Sequence, residues 1–398
     1  MNPRETVFGL VLAGGGARGA YEAGVMRYIF TTLAPRLHKP VNMHVLCGTS
    51  AGALNAGYLA GMGSAPGGAN GLSRIWQELE IEQVFTITTL DLLRSPRLLW
   101  RVSAESGQGG SLLDARPLHA LVRNHLPAAQ IRQRVEAGVL RALVIAATEV
   151  ATGRCVLFMD HDDRYAPVGL SPHEEVRRAP ITAEHVLASA AIPFLFPPIG
   201  IDGRYFLDGG LRQNTPLSPA LHLGVDRVLV VSVNPPFSVM SAKATSAGPD
   251  GPPSLAFLMG KALNALMIDP LEQDLKALQQ FNALFAWGEK NYGPEFMPRL
   301  NNAVAPTRGV PFRPVQALHV QPREDLGRLA GESFRRSPPK ASRATRFFIK
   351  LLAEDEESQA DMLSYLLFDR AYTGLLEQMG YEDARAQEEA LAAFFVGD

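Results

Sequence analysis

The sequence predicts an α/β fold, a three-layer α/β/α core around a mainly parallel sheet, followed by a mostly helical C-terminal region. Three observations predict it. Near-continuous apolar runs at Val7–Ala13, Met43–Cys47, Arg141–Thr148 and Asp226–Val233 lack the alternation of a half-exposed strand. They suit strands buried on both faces of a parallel sheet, which needs helices above and below it. The first two runs each end in a glycine-bearing turn that opens a helical pattern. Residues 236–253 are then rich in Pro, Ser, Ala and Gly, and helical spacing dominates beyond them. The chain of 398 residues therefore divides into a core at 5–235, a loop or linker at 236–253, and a mostly helical region at 254–398 that covers the core.

The first strand, Val7–Ala13, runs into Gly14-Gly15-Gly16-Ala17-Arg18-Gly19, and Val25, Met26, Ile29, Phe30 and Leu33 then line one helical face. Successive glycines before a helix let backbone N–H groups converge on one concavity. Such a loop binds an anion, or the negative oxygen that develops in acyl transfer. The same residues satisfy G-x-G-x-x-G, the dinucleotide fingerprint. That reading needs an acid roughly twenty positions on for the ribose hydroxyls. No Asp or Glu occurs from Ala23 to Gln77, which leaves only a 2′-phosphate variant on Arg36 or Lys39.

The second strand, Met43–Cys47, ends in Gly48-Thr49-Ser50-Ala51-Gly52, a G-x-S-x-G turn before a small-residue helix. A strand–turn–helix of this kind pushes the serine hydroxyl out at the sheet's edge, with glycines where the backbone turns too tightly for a side chain. A nicotinamide enzyme has no use for such a serine. Further on, Val186–Pro198 is a helix end running into a Pro- and Phe-rich loop, and Arg204–Leu207 is a short strand. That strand delivers Asp208-Gly209-Gly210 into a turn, where the carboxylate can project into a site. The tripeptide on its own is most often only a turn.

Taken in order, these segments resemble the patatin-like phospholipase family. That family is known by a G-G-G-x-R-G loop, a G-x-S-x-G elbow, an A-S-x-A-x-P-x-x-F-x-P stretch and a D-G-G/A motif. Here they stand at Gly14–Gly19, Gly48–Gly52, Ala188–Pro198 and Asp208–Gly210, and the resemblance covers about residues 5–235. It implies a lipid acyl hydrolase with a Ser–Asp dyad. Ser50 would be the nucleophile and Asp208 its base. The amides of Gly15 and Gly16, with Gly14, would form the oxyanion hole. Arg18 would fix that loop or face anionic substrate, and Gly19, Gly48, Gly52, Gly209 and Gly210 would complete the motifs.

The chain can be checked for a histidine base. In an α/β-hydrolase the order is Ser, acid, His, so the candidates are His222 and His319. His222 falls in the helical pattern Leu217–Leu223 and His319 in the strand-like Val315–Val320, and neither has a glycine-turn setting. His44 lies just before the elbow, on the strand's outer face. A free aspartate, with a pKa near ~3.9, is a poor base for an alcohol. Burial raises that value, and the Phe194, Phe196 and Pro197 loop is the expected source of apolar surroundings.

A formal net charge of −2 and 20% charged residues give no field that favours nucleic acid. Cys47 and Cys155 read as small buried residues of two strands, the second at Gly153–Met159. No metal or cofactor is called for. Met1–Glu5 lead straight to the first strand without a signal peptide's apolar stretch, and no apolar run reaches a bilayer's width. The expectation is a cytoplasmic protein that meets membranes peripherally. Helices are expected at 255–266, from Pro270 to Phe285, and at Arg343–Ala353, Glu357–Leu367 and Asp383–Phe395. Two stretches mix arginine with bulky apolar residues and suit a lipid boundary. They are Leu92–Arg101, and Phe347-Phe348 flanked by Arg335, Arg336, Lys340, Arg343, Arg346 and Lys350.

The expected reaction is hydrolysis of carboxylic esters of phospholipids or lysophospholipids. An esterase or lipase on neutral or small soluble esters is one alternative, and a dinucleotide-binding or non-enzymatic scaffold protein is another.

Overall fold

Among the described residues one sheet organises the chain, and the four apolar runs form four of its strands, for a residue with both faces covered must be apolar on both, whereas the edge strand at Glu174–Arg178 is charged and part exposed. In the computed structural model, residues 5–87, 111–165, 174–236, 271–308, 311–353 and 360–397 are described. The Leu92–Arg101 stretch, the expected helix at 255–266 and the linker beyond residue 236 lie outside them.

The strands are β1 (Phe8–Leu12), β2 (Val45–Thr49), β3 (Ala142–Glu149), β4 (Cys155–His161), β5 (Glu174–Arg178), β6 (Ile199–Ile201), β7 (Arg204–Asp208), β8 (Arg227–Val231) and β9 (Gln316–Val320). Their order across the sheet is β5-β4-β3-β2-β1-β8-β9, with β7 paired to both β3 and β6. From β3 to β9 all neighbours on this path are parallel, while β4 and β7 run antiparallel to β3. Every residue of β2, β3 and β4 is buried. Two apolar clusters flank the sheet. The larger contains Leu10, Leu12, Leu46 and Ile145, and the other contains Val11, Val45, Cys47 and Val144. The result is the three-layer core expected from the sequence.

One detail of register places the site. β2 ends where Thr49 pairs with Ala146, but β3 continues for three more residues. Its far side is already occupied by β4, so the open edge beyond β2 is taken by β7, with Ala147 opposite Asp208. The C-terminal ends of β2 and β7 thus meet head to head along β3.

On the larger cluster's face lie α1 (Gly19–Tyr28), α2 (Ala51–Met62), α3 (Pro66–Glu78), α4 (Arg116–His125) and α5 (Ala183–Ser189). Asn55 of α2 ties three of them, donating to Glu22 at 2.8 Å and accepting from Trp76 at 2.8 Å. Burial raises the Glu22 carboxyl well above its usual range. In the C-terminal region, α6 (Leu271–Tyr292) realises the helix expected from Pro270. It is followed by α7 (Leu326–Arg336), α8 (Arg343–Ala353), α9 (Ala360–Leu366), α10 (Arg370–Ala386) and α11 (Glu388–Val396).

The helix expected over Asp383–Phe395 is in fact two, because Gln387 leaves the helical conformation between α10 and α11. Helix α7 and a further one at Phe296–Arg308 had no counterpart in the sequence reading. Asp325 caps the start of α7 by accepting from the Arg328 amide at 2.9 Å, and Leu326, Leu329 and Ala330 bury one face of it. The region beyond 253 also does more than cover the core. It contributes the edge strand β9, and α10 packs along α1 with the Gly24 and Gly380 backbones in close approach.

Candidate active site

Ser50 sits between β2 and α2 with φ 54° and ψ −121°, in the left-handed half of backbone space where a non-glycine residue is strained. The turn is held from outside. The Ser50 amide donates to Ser189 Oγ at 2.9 Å, and Ser189 Oγ donates to the Ala146 carbonyl at 2.5 Å. A Cβ on Gly52 would stand 2.3 Å from the Leu12 carbonyl oxygen, so only glycine lets α2 start this close to β1. The serine is 3% exposed.

Asp208 ends β7 and is fully buried. Its own carbonyl accepts from Thr148 Oγ1 at 2.9 Å, its amide donates to Ala191 at 2.9 Å, and Oδ1 accepts from the Gly210 amide at 2.8 Å. The carboxyl is pushed up to about 7 by burial, against the opposing pull of the Ser50 hydroxyl and the Gly210 amide. That hydroxyl therefore lies beside the carboxyl, yet Oδ2 has no partner at full hydrogen-bond geometry. A buried acceptor left open beside an alcohol is placed to take its proton. The loop anticipated as the apolar surroundings is partly exposed. Phe194 is 64% exposed, whereas Leu195 and Phe196 are buried and Phe196 packs near Phe85.

The glycine loop lies against the serine, since a Cβ on Gly14 would approach Ser50 Cβ to 3.1 Å. Gly14 does not offer its amide, contrary to the sequence expectation. It donates to the Asn214 carbonyl at 3.0 Å, and Asn214 Nδ2 returns a bond to the Gly14 carbonyl at 3.2 Å. Among the described residues, the Gly15 and Gly16 amides have no acceptor. Gly16 has φ 55°, a conformation that favours glycine.

Arg18 is 3% exposed and faces inward. Its Nε donates to Ser364 Oγ at 2.8 Å, and Nη1 donates to Asn234 at 3.2 Å and to the Tyr365 hydroxyl at 3.3 Å. Nη2 lies 3.5 Å from Asp361. These contacts are all with the protein's own groups, the arrangement that a loop-supporting role calls for. Gly48, Gly209 and Gly19 serve close packing, the first two against the Gly52 and Ala146 carbonyls and the third against Ala51.

Among the described residues no histidine bonds Ser50 or Asp208. His222 donates to the Ser218 carbonyl at 2.8 Å, His319 pairs with Ser232 at 2.8 Å, and His44 accepts from the Phe8 amide at 3.0 Å. Arg36, the candidate 2′-phosphate ligand, is paired with Glu388 at 3.0 Å. The described residues contain no cluster of three His, Cys, Asp or Glu able to hold a metal ion. Cys47 and Cys155 are both buried.

An apolar pocket opens between α2, α3 and α4, lined by Leu54, Tyr58, Trp76, Val84 and Leu118 together with Phe368. Ser50 and Asp208 are not in its wall. Leu54, one of its lining residues, stands four residues along α2 from Ser50, roughly 6 Å of helix rise. Of the two lipid-boundary stretches, the one from Arg335 to Lys350 is described: Arg335, Arg336 and Lys340 are exposed ahead of α8, and α8 exposes Arg343, Arg346, Phe347 and Lys350 while burying Ile349. Among the described residues no helix is long and apolar enough to cross a membrane.

The sequence reading missed Thr148, Asn214, Ser364 and Tyr365. Ser189 was visible inside the A-S-x-A stretch, but nothing local showed that it binds the serine turn.

The family model for patatin-like phospholipases matches residues 10–221. No curated protein matches the chain. Among solved structures, VipD from Legionella pneumophila is 13% identical with a TM-score of 0.37, covering 97% of this chain and 67% of its own. Human GIVD cytosolic phospholipase A2, in complex with methyl gamma-linolenyl fluorophosphonate, is 13% identical with a TM-score of 0.37. That match covers 98% of this chain and 59% of the human one, so this chain spans less than two thirds of its length. The ExoU-SpcU complex of Pseudomonas aeruginosa is 17% identical with a TM-score of 0.31, covering 91% of this chain and 69% of its own. Likenesses this distant say nothing about the chemistry of this chain.

Proposed function

Since this chain belongs to the patatin-like phospholipase family, matched over residues 10–221, we propose that it is a serine hydrolase that cleaves carboxylic ester bonds of phospholipids or lysophospholipids. The observation that carries the reading is the open, buried Oδ2 of Asp208 beside the hydroxyl of Ser50 on a strained turn. In this reading Asp208 accepts the Ser50 proton as Oγ attacks the ester carbonyl. The Gly15 and Gly16 amides receive the carbonyl oxygen as it becomes negative, where one such donor is worth roughly 2.7–4 kcal/mol. The protonated Asp208 then returns its proton to the departing alcohol, leaving an acyl group on Ser50. Water, deprotonated by the same carboxylate, releases the fatty acid. The pocket lined by Leu54 takes the acyl chain, and the exposed face of α8 meets the lipid surface.

The test is direct. Ser50→Ala and Asp208→Asn each abolish turnover of a phospholipid and of p-nitrophenyl butyrate, with circular dichroism unchanged. A fluorophosphonate probe labels the wild type and the Asp208→Asn variant, more slowly in the latter, and does not label Ser50→Ala. Retention of activity by Asp208→Asn together with its loss in His222→Ala or His319→Ala replaces the dyad by a triad.

A further inference from the structure

Arg18 follows the free Gly16 amide by two residues, yet most of its partners come from a helix near the other end of the chain. The Arg18 Nε bond goes to Ser364 Oγ at 2.8 Å, the guanidinium stacks 4.1 Å above the Tyr365 ring, and Nη2 lies 3.5 Å from Asp361. All three partners belong to α9, Ala360–Leu366. The contact reaches the loop backbone as well, because a Cβ on Gly16 would stand 2.3 Å from the Tyr365 carbonyl oxygen. Helix α9 lies outside the matched segment 10–221. We propose that α9 is a working part of the catalytic loop, in which Ser364 and Tyr365 are positioning residues that hold the Gly15 and Gly16 amides on the oxyanion.

The proposal rests on Ser50 and Asp208 being the dyad and adds what keeps the loop in register with them. The geometry leaves α9 few other reasons to present this polar set to a buried site. Ser364 is itself fully buried and donates to the Asp361 carbonyl at 2.5 Å, so its oxygen is fixed in direction. Within the loop, the Arg18 amide donates to the Gly15 carbonyl at 3.1 Å, and that bond transmits any movement of Arg18 to the peptide that carries the Gly16 amide. A buried cation without these partners would be uncompensated and would drag the turn toward water. An oxyanion donor displaced by about 1 Å forfeits roughly 100-fold in rate, while ground-state binding in the apolar pocket is untouched.

The experiment uses the full chain with p-nitrophenyl butyrate and a fluorophosphonate. Ser364→Ala lowers kcat by about 10- to 100-fold with KM within about twofold, and the rate of Ser50 phosphonylation falls in parallel. Tyr365→Phe keeps the stacked ring and removes one oxygen, so it folds and gives a smaller fall of the same kind. The pH at which activity is half-maximal stays where Asp208 sets it in both variants. Wild-type kcat in a folded Ser364→Ala overturns the proposal, as does a loss that resides in KM. Should Ser364→Ala not fold, an unchanged kcat and phosphonylation rate in Tyr365→Phe overturn it. Ser50→Ala in the same assay separates the two readings, for activity surviving there removes the dyad whatever the α9 variants do.

Discussion

Asp208 carries the main conflict at the scale of single residues, because the burial that suits its carboxylate to the proposed role of base also makes the charge expensive. Held up to about 7 from an ordinary 3.8, the group is half ionised near neutrality. On the proposed mechanism, kcat/KM therefore falls below about pH 7 and rises above it, and a profile flat from pH 5 to 8 would remove Asp208 as the base. The sign for stability is opposite to that of a salt-bridged carboxylate. Between 3.8 and about 7 the folded state binds a proton that the unfolded chain has released, so folding stability is lost as pH rises through that window. Asp208→Asn keeps the acceptor for the Gly210 amide and removes the charge. It therefore stabilises the protein at pH 8, on the order of 2–4 kcal/mol in urea unfolding, and by much less at pH 5. An equal gain at both pH values would mean that the ionised carboxylate is not the source.

At the scale of elements, the site is a splice between strand ends. β3 outruns β2 by three residues, and β7 fills the space, so Asp208 stands opposite Ala147 just past the Thr49–Ala146 pair. Thr148 fixes the splice from inside β3 by donating to the Asp208 carbonyl at 2.9 Å. The strands thus supply placement, while their ends and the turns after them carry the groups proposed to react. Helix α8 is amphipathic on the same logic, with Ala344, Thr345 and Ile349 buried and Arg343, Arg346 and Phe347 outward. Ser342, at its start, donates to Glu82 at 2.8 Å, two residues from the pocket residue Val84. Arginines near an anionic surface contribute about 1 kcal/mol each. The expected result is that Arg346→Ala with Phe347→Ala weakens sedimentation with anionic vesicles at low salt and slows vesicle hydrolysis, while p-nitrophenyl butyrate turnover is kept. Equal binding by wild type and variant would leave α8 as a solvated face.

For the whole molecule, α1 and α10 form a contact in which backbones nearly touch. Added Cβ atoms on Gly24 and Gly380 would lie 1.8 Å and 2.0 Å from the Glu377 and Tyr21 carbonyl oxygens. Arg27 and Glu377, paired at 2.5 Å with Glu377 fully buried, close one side of this contact. Such packing has no slack, so Gly380→Ala destabilises by about 2–3 kcal/mol through overpacking. Gly374, on the same helix, has nothing within 4 Å of its missing Cβ. There, alanine's higher helix propensity makes Gly374→Ala stabilising, by up to about 1 kcal/mol. Urea unfolding of the two variants checks the packing, and a similar loss in both would mean that α10 does not rest on α1 as described.

The strands, the glycine loop, the serine turn and the Asp-Gly-Gly turn were legible in the chain because each is local. Apolar runs mark strands buried on both faces, and glycines mark turns that no side chain allows. Local signals also carried the order of motifs, and with it the family. They could not show that Gly14 spends its amide on Asn214, that Phe194 stands exposed, or that α10 and α11 break at Gln387. Nor could they give Arg18 its partners, most of which lie more than three hundred residues along the chain. Strand register and helix packing join segments by surface shape and hydrogen-bond satisfaction across the fold, and neither leaves a period in the sequence of either partner. Tertiary structure alone decided that Ser50 and Asp208 meet at the end of β3, and that a helix near the C-terminus closes over the loop beside them.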